Sequence, residues 1–238
     1  MKASRAVIVL ACVALLGVLK ADDVLYSQGP NNSGDSWASQ NDTNSGGFGN
    51  YATAYDNFTL AADGTVTGVS WRGEFFNGPF DSPKGDITGF TVNFWADSSN
   101  APGGLLASTF IAGAANEILV GGLRYNYSAT VADFAASAGV QYWLSIVPDL
   151  GFLNGDGGAV VGDLDGDGPQ WGWKPGTGGD ARFYQDFFGD TIERETDLTF
   201  TLTGKTGKAA SVPDSGVTLL YSGLAMAALA LVRRRLAS

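Results

Sequence analysis

The chain contains no histidine and a single cysteine, Cys12, in 238 residues. The first absence removes Ser-His-Asp and Cys-His nucleophilic triads and the usual zinc ligand sets. The second removes any intramolecular disulfide, so an exported domain built from this sequence must be held by its core. Basic residues are scarce as well. All 24 acidic residues lie between Asp22 and Asp214, where only 8 of the 14 basic residues are found, leaving a formal charge of −16 on that stretch. Nucleic acid is excluded as a partner class, because phosphate binding needs a basic footprint. Apolar segments of helical period are missing between residues 22 and 211, apart from one turn's worth in "VADFAAS" (Val131–Ser137).

The two ends carry the signals that are present. Lys2 and Arg5 precede an apolar run of 14 residues, Ala6–Leu19, and Ala21 precedes the acidic body. A basic start, a short apolar stretch and a small residue at the end make residues 1–21 a signal peptide, too short to span a membrane comfortably. Cys12 falls within it, as filler of the apolar run rather than as a lipoprotein cysteine. At the other end, Val217–Val232 is a run of 16 uncharged residues followed by Arg233, Arg234 and Arg235. As a helix it reaches about 24 Å, somewhat short of a hydrocarbon core of roughly 30 Å. Local thinning and long arginine side chains cover such a gap. Arg233–Arg235 would hold the cytoplasmic side, so residues 217–232 are expected to form one transmembrane helix with the body outside.

The segment "VPDSG", Val212, Pro213, Asp214, Ser215 and Gly216, stands directly before this helix. Pro213 fixes its own φ and Gly216 relaxes the backbone, which keeps the segment extended and accessible. The three-part tail of residues 212–238 resembles the PEP-CTERM class of bacterial sorting signals in its VPDSG-CTERM variant. The resemblance implies an exosortase as partner, processing of the tail, and a setting in which exopolysaccharide is made.

Strand signals fill the body. Phe90, Val92 and Phe94 alternate with Thr91, Asn93 and Trp95. Leu198, Phe200 and Leu202 alternate with threonines. Val69, Trp71, Gly73 and Phe75 share one face, as do Val140, Tyr142, Leu144 and Ile146. This period of two belongs to sheets with one buried face, and Gly, Pro, Asn and Asp clusters separate the runs. The expected fold is all-β, a single antiparallel β-sandwich, jelly-roll-like, over residues 51–204. Residues 22–50, rich in Gly, Ser and Asn, read as a flexible arm and residues 205–211 as a linker. The pieces "YDNFTL", "VSWRGEFF", "FTVNFWADSSNAPGG", "AGVQYWLSIV", "WGW" and "DLTFTLTG" resemble a domain recurrent in PEP-CTERM proteins. That resemblance implies an exported sandwich and brings no catalytic residues.

Three constellations bear on function. In "DLDGDG", Asp163, Asp165 and Asp167 alternate with glycines close by, as in the first half of a calcium loop. The twelfth position of such a loop is Lys174 rather than Glu. Either a distant acid such as Asp156 or Asp180 completes a calcium site, or the loop is a polar connection without an ion. Trp171 and Trp173 share a strand face in "QWGWKP", where two indoles either stack on sugar rings or cap the core. Trp95 alternates outward from apolar neighbours and is the better candidate for exposure. Glu74 and Glu117 are the candidates for a glycosidase carboxylate pair, against the plainer reading of solvated acids. The expected function is that of a non-enzymatic, exported surface or extracellular-matrix protein, with an extracellular carbohydrate-binding module as the first alternative and a carboxylate glycoside hydrolase as the second. Its expected partners are the exosortase, the membrane through the tail, and extracellular polysaccharide.

Deletion of Val217–Ser238 is expected to release the body into the periplasm or medium, since the arginine cluster opposes export of the tail. Fractionation checks this, and a truncated protein that stays with the membrane refutes it.

Overall fold

The computed structural model describes residues 22–31, 34–44, 47–76, 84–151 and 169–207. Residues 1–21, expected as a signal peptide, the stretch with Asp156, Asp163, Asp165 and Asp167, and residues 212–238, expected as a sorting tail, lie outside the described residues. None of the described residues is helical, and no helix among them is long and apolar enough to cross a membrane.

Two sheets form a partial sandwich. The first centres on β5 (Gly64–Phe76), a strand long enough to use both edges along its whole length. One edge pairs with β9 (Arg124–Ala136), which also carries the short β8 (Ile118–Gly121). The other edge is shared end to end by β16 (Phe200–Thr206) and β11 (Gln170–Trp173). Beyond β16 lie β1 (Asp23–Pro30), β12 (Pro175–Thr177) and β15 (Asp197–Leu198), and beyond β11 lies β2 (Trp37–Ala38). The second sheet repeats the device on β10 (Gln141–Leu150). One edge pairs with β6 (Gly89–Asp97) and so to β7 (Pro102–Ala112). The other is shared by β4 (Gly49–Thr59), antiparallel, and β3 (Gln40–Asp42), parallel. The hairpin of β13 (Phe183–Phe187) and β14 (Asp190–Arg194) extends the sheet from β4.

The alternation in the sequence becomes the interlayer core. Phe90, Val92 and Phe94 from β6 and Leu144 and Ile146 from β10 are buried against Val69, Trp71 and Phe75 from β5 and Phe200 and Leu202 from β16. Phe90 meets three rings of the facing sheet, Trp71 at 5.0 Å, Tyr127 at 5.1 Å and Trp171 at 5.7 Å between centroids. Phe94 stacks on Phe134 at 4.3 Å. Gly73, in line with Trp71 and Phe75, leaves the space that the Trp171 indole fills. A Cβ there would lie 2.2 Å from the ring. Replacing rings packed in this way by Ala costs about 3–5 kcal/mol.

Four expectations change. The arm over residues 22–50 is not loose: it supplies β1, β2, β3 and the start of β4, with Gln28, Ser39 and Gln40 fully buried. Its polar side chains satisfy backbone groups inside the fold. The Ser39 hydroxyl donates to the Ile146 carbonyl (2.7 Å), and Gln40 accepts from the Trp171 amide (2.8 Å). "VADFAAS" is strand through Ala136, not a helical turn. Its three-residue spacing of Val131 and Phe134 arises where β9 bulges against β5 between the Thr130–Gly68 and Phe134–Val66 pairs, since a bulge breaks the period of two. Val140 does not join the core face and is exposed, whereas Trp143, Ser145 and Val147 on the other face are buried. Finally, β16 runs through Thr206, past the expected boundary at 204.

One buried carboxyl group ties the layers together. Asp56 on β4 is fully buried; its carboxylate accepts the Leu198 amide of the opposite sheet at 2.5 Å and the Asn57 amide at 2.7 Å. Burial pushes its carboxyl well above the usual range, and nearby Asp197 and Asp180 push the same way. The native state therefore binds the Asp56 proton more tightly than the unfolded chain does. The contribution to stability is complete below the unfolded carboxylate range, about pH 4, and is lost as pH rises through the raised native value. In urea unfolding across pH 4–8, stability relative to Asp56→Asn is expected to fall with pH, the variant being less stable overall because the Asn amine faces a backbone N–H. Parallel pH profiles for the two proteins would show that Asp56 is ionised throughout.

Candidate functional site

Alternation puts a second set of residues on the outer face of the seven-stranded sheet. Trp95, Asn93 and Thr91 of β6 stand beside Trp143, Ser145, Val147 and Asp149 of β10, and these beside Asn57 and Tyr55 of β4. A groove of about 280 Å³ runs over this face, lined by Asn41, Asn50, Thr53, Tyr55, Thr91, Asn93, Trp95, Val147 and Asp149.

Its walls are held in place. The Trp95 indole N–H donates to Ser145 Oγ at 3.0 Å, and its ring meets Tyr55 edge-on at 5.6 Å and 72°. Tyr55 donates its hydroxyl to Asp186 at 3.0 Å. Burial and the adjacent Asp186 carboxylate both push the phenol upward, so it remains a neutral donor. Asn41 Nδ2 donates to Asp149 at 2.7 Å, Thr53 to Asn50 at 3.1 Å, and Asn93 Nδ2 to Ser145 at 3.4 Å. Each Asn and Asp retains further donor or acceptor capacity for a ligand. The result is a pre-arranged aromatic wall over a floor of amides, hydroxyls and one carboxylate.

The three tryptophans singled out by sequence separate here. Trp95 is half-buried and lines the groove. Trp171 and Trp173 are both 0% exposed. Trp171 packs on Phe90 and Tyr127, and Trp173 donates to the Thr199 carbonyl at 2.8 Å. They cap the core, and neither has a ring face to offer a sugar. The reason is that β11 is flanked by β5 and β2, so both indoles turn into the interlayer space. Tyr55, which completes the aromatic wall, was not singled out by sequence. Its only trace there was the outward phase of "YATAYDNFT", and its distance from Trp95 in the chain hid the pairing.

Neither candidate glutamate stands as a free acid. Glu74 accepts from the buried Lys174 ammonium at 2.7 Å and from Ser36 at 2.9 Å. Glu117 is bonded to Lys84 and accepts from Tyr127 at 3.1 Å. Asp180 accepts from Asn57 at 3.0 Å. Among the described residues no group of three or more His, Cys, Asp or Glu side chains is arranged to hold a metal. Asp163, Asp165 and Asp167 lie outside the described residues, as do Val212–Gly216 and Arg233–Arg235. A second groove of about 280 Å³ crosses the outer face of the other sheet, where Ser27 bonds Thr201 (2.8 Å) and Arg72 bonds Asn126 (2.8 Å). The rings beneath it, Trp71, Tyr127 and Phe200, are buried, so it lacks an aromatic platform.

Fold and site define an all-β protein of two sheets in a partial sandwich, with a polar, aromatic-walled groove on one outer face. Compared with known proteins, the chain matches no family model and no curated protein.

Proposed function

We propose that this is an exported, non-enzymatic surface or matrix protein whose sandwich binds extracellular polysaccharide through the Trp95 groove. The observation that carries the reading is the pairing of the Trp95 and Tyr55 rings with the amides of Asn41, Asn50 and Asn93 and the carboxylate of Asp149. Sugar rings present apolar C–H faces and a rim of hydroxyls, and this wall and floor match both. We take the sandwich to be jelly-roll-like, a scaffold that lectin domains use; two sheets over one core, antiparallel except where β3 joins β10, support that description. The engagement of Glu74 and Glu117 by lysines supports a binding rather than a hydrolytic role.

Placement at the cell envelope rests on the sequence ends. The signal-like residues 1–21 support export, and the VPDSG tail with its apolar run and Arg233–Arg235 supports retention in the membrane and hand-over to an exosortase. An extracellular setting also favours calcium on the loop of Asp163, Asp165 and Asp167, with an affinity of order 10⁻⁴ to 10⁻³ M. Millimolar calcium is then expected to raise the melting temperature over that in chelator. Asp165→Asn with Asp167→Asn should abolish the difference, and identical wild-type curves would rule the ion out.

The glycan reading is tested by affinity electrophoresis in gels containing neutral polysaccharides. Retardation is expected in at least one, and Trp95→Ala is expected to weaken binding about tenfold or more, the equivalent of one lost stacking contact of about 1.4 kcal/mol. The melting temperature is expected to fall by a few degrees with a cooperative transition retained, because the ring also packs on Tyr55 and bonds Ser145. Free migration of the wild type through every gel would remove this function.

A further inference from the structure

Resting on the glycan reading above, we propose that the binding surface continues past Asp149 to Phe110, and that it takes an extended, neutral polysaccharide strand lying along β6. Phe110 is 60% exposed near the C-terminal end of β7, the edge strand of its sheet. Its Cα partner is Thr91, a groove residue, which places it on the same outer face. The ring extends over Gly89, whose own partner is the groove residue Asp149. A Cβ on Gly89 would lie 2.3 Å from Phe110 Cζ, so the ring holds this position because residue 89 carries no side chain.

Two aromatic platforms thus stand on one face, at opposite ends of β6. Trp95 is four residues from Thr91 and six from Gly89, a separation of roughly 13–20 Å at about 3.4 Å per residue. That is too far for one sugar and suits several linked ones. Between the platforms lie the side chains of Asn93, Thr91 and Asp149. The groove lining includes no lysine or arginine and one carboxylate, and Arg182, beyond it near Tyr184, is paired with Glu193 at 3.4 Å. A polyuronate would bring repeated negative charge to a site without a cation, on a body that is itself strongly acidic. The chemistry selects neutral chains over acidic ones.

The test is calorimetric titration of the full-length chain in detergent micelles. The probes are neutral gluco-, manno- and xylo-oligosaccharides of two and six units, together with polygalacturonate. The best neutral hexasaccharide is expected to bind about tenfold more tightly than its disaccharide, and polygalacturonate more weakly than either. Phe110→Ala should erase the gain with length and leave disaccharide binding intact, and Phe110→Trp should restore it. Trp95→Ala should weaken both lengths. Equal affinity for two and six units, indifference to Phe110→Ala, or preference for polygalacturonate overturns the proposal while a Trp95-dependent affinity keeps the broader reading. Absence of binding to every probe overturns both.

Discussion

The contact on which the two layers depend is the meeting of Phe90 with Trp71, Tyr127 and Trp171. One ring from the seven-stranded sheet enters a cup of three from the other. Offset and edge-on aromatic contacts add directional preference to the area they bury. With no disulfide in the body, this packing and its neighbours, Phe94 on Phe134 and Phe58 against Phe200, are what keep the sheets in register. Asp56 adds a polar link across the same gap by accepting the Leu198 amide.

Fixing Phe90 inward fixes the opposite face as well. Because successive side chains alternate, an inward Phe90, Val92 and Phe94 require an outward Thr91, Asn93 and Trp95. On the neighbouring strand, Ser145 is small enough to leave room for the Trp95 indole and polar enough to bind its N–H. Trp143, one pair along, turns its N–H to Asp97 at 2.9 Å and packs beneath Tyr184. The groove is therefore a by-product of core register combined with residue size: a serine, a glycine and small threonines between larger rings.

The N-terminal segment closes the structure. Over six residues it crosses from one sheet to the other, β2 pairing with β11 and β3 with β4 and β10. Such a crossing exposes backbone groups to the core, where an unpaired one is costly. Side chains resolve this. Ser39 bonds Ile146 and Ala54, Gln40 bonds Trp171, and Gln185 donates to the Ala38 carbonyl at 2.9 Å. Polar composition, which looked like a sign of looseness, is what the crossing needs.

Sequence alone determined the all-β class, the strand faces of β5, β6 and β16, and the outward phase of Trp95. These are local properties, because a period of two is carried by neighbouring residues. The chain's ends, residues 1–21 and 212–238, carry the order and composition on which the proposed export and sorting rest. Tertiary structure decided the rest. Trp171 and Trp173 went to the core because β11 lies between β5 and β2, a pairing that no local pattern encodes. Val131–Ala136 became strand because pairing with β5 absorbs its irregular spacing in a bulge. Tyr55, Asp149 and Phe110 met Trp95 and Gly89 only through strand pairing between segments as much as 90 residues apart, and such non-local contacts leave no mark on the residues nearby.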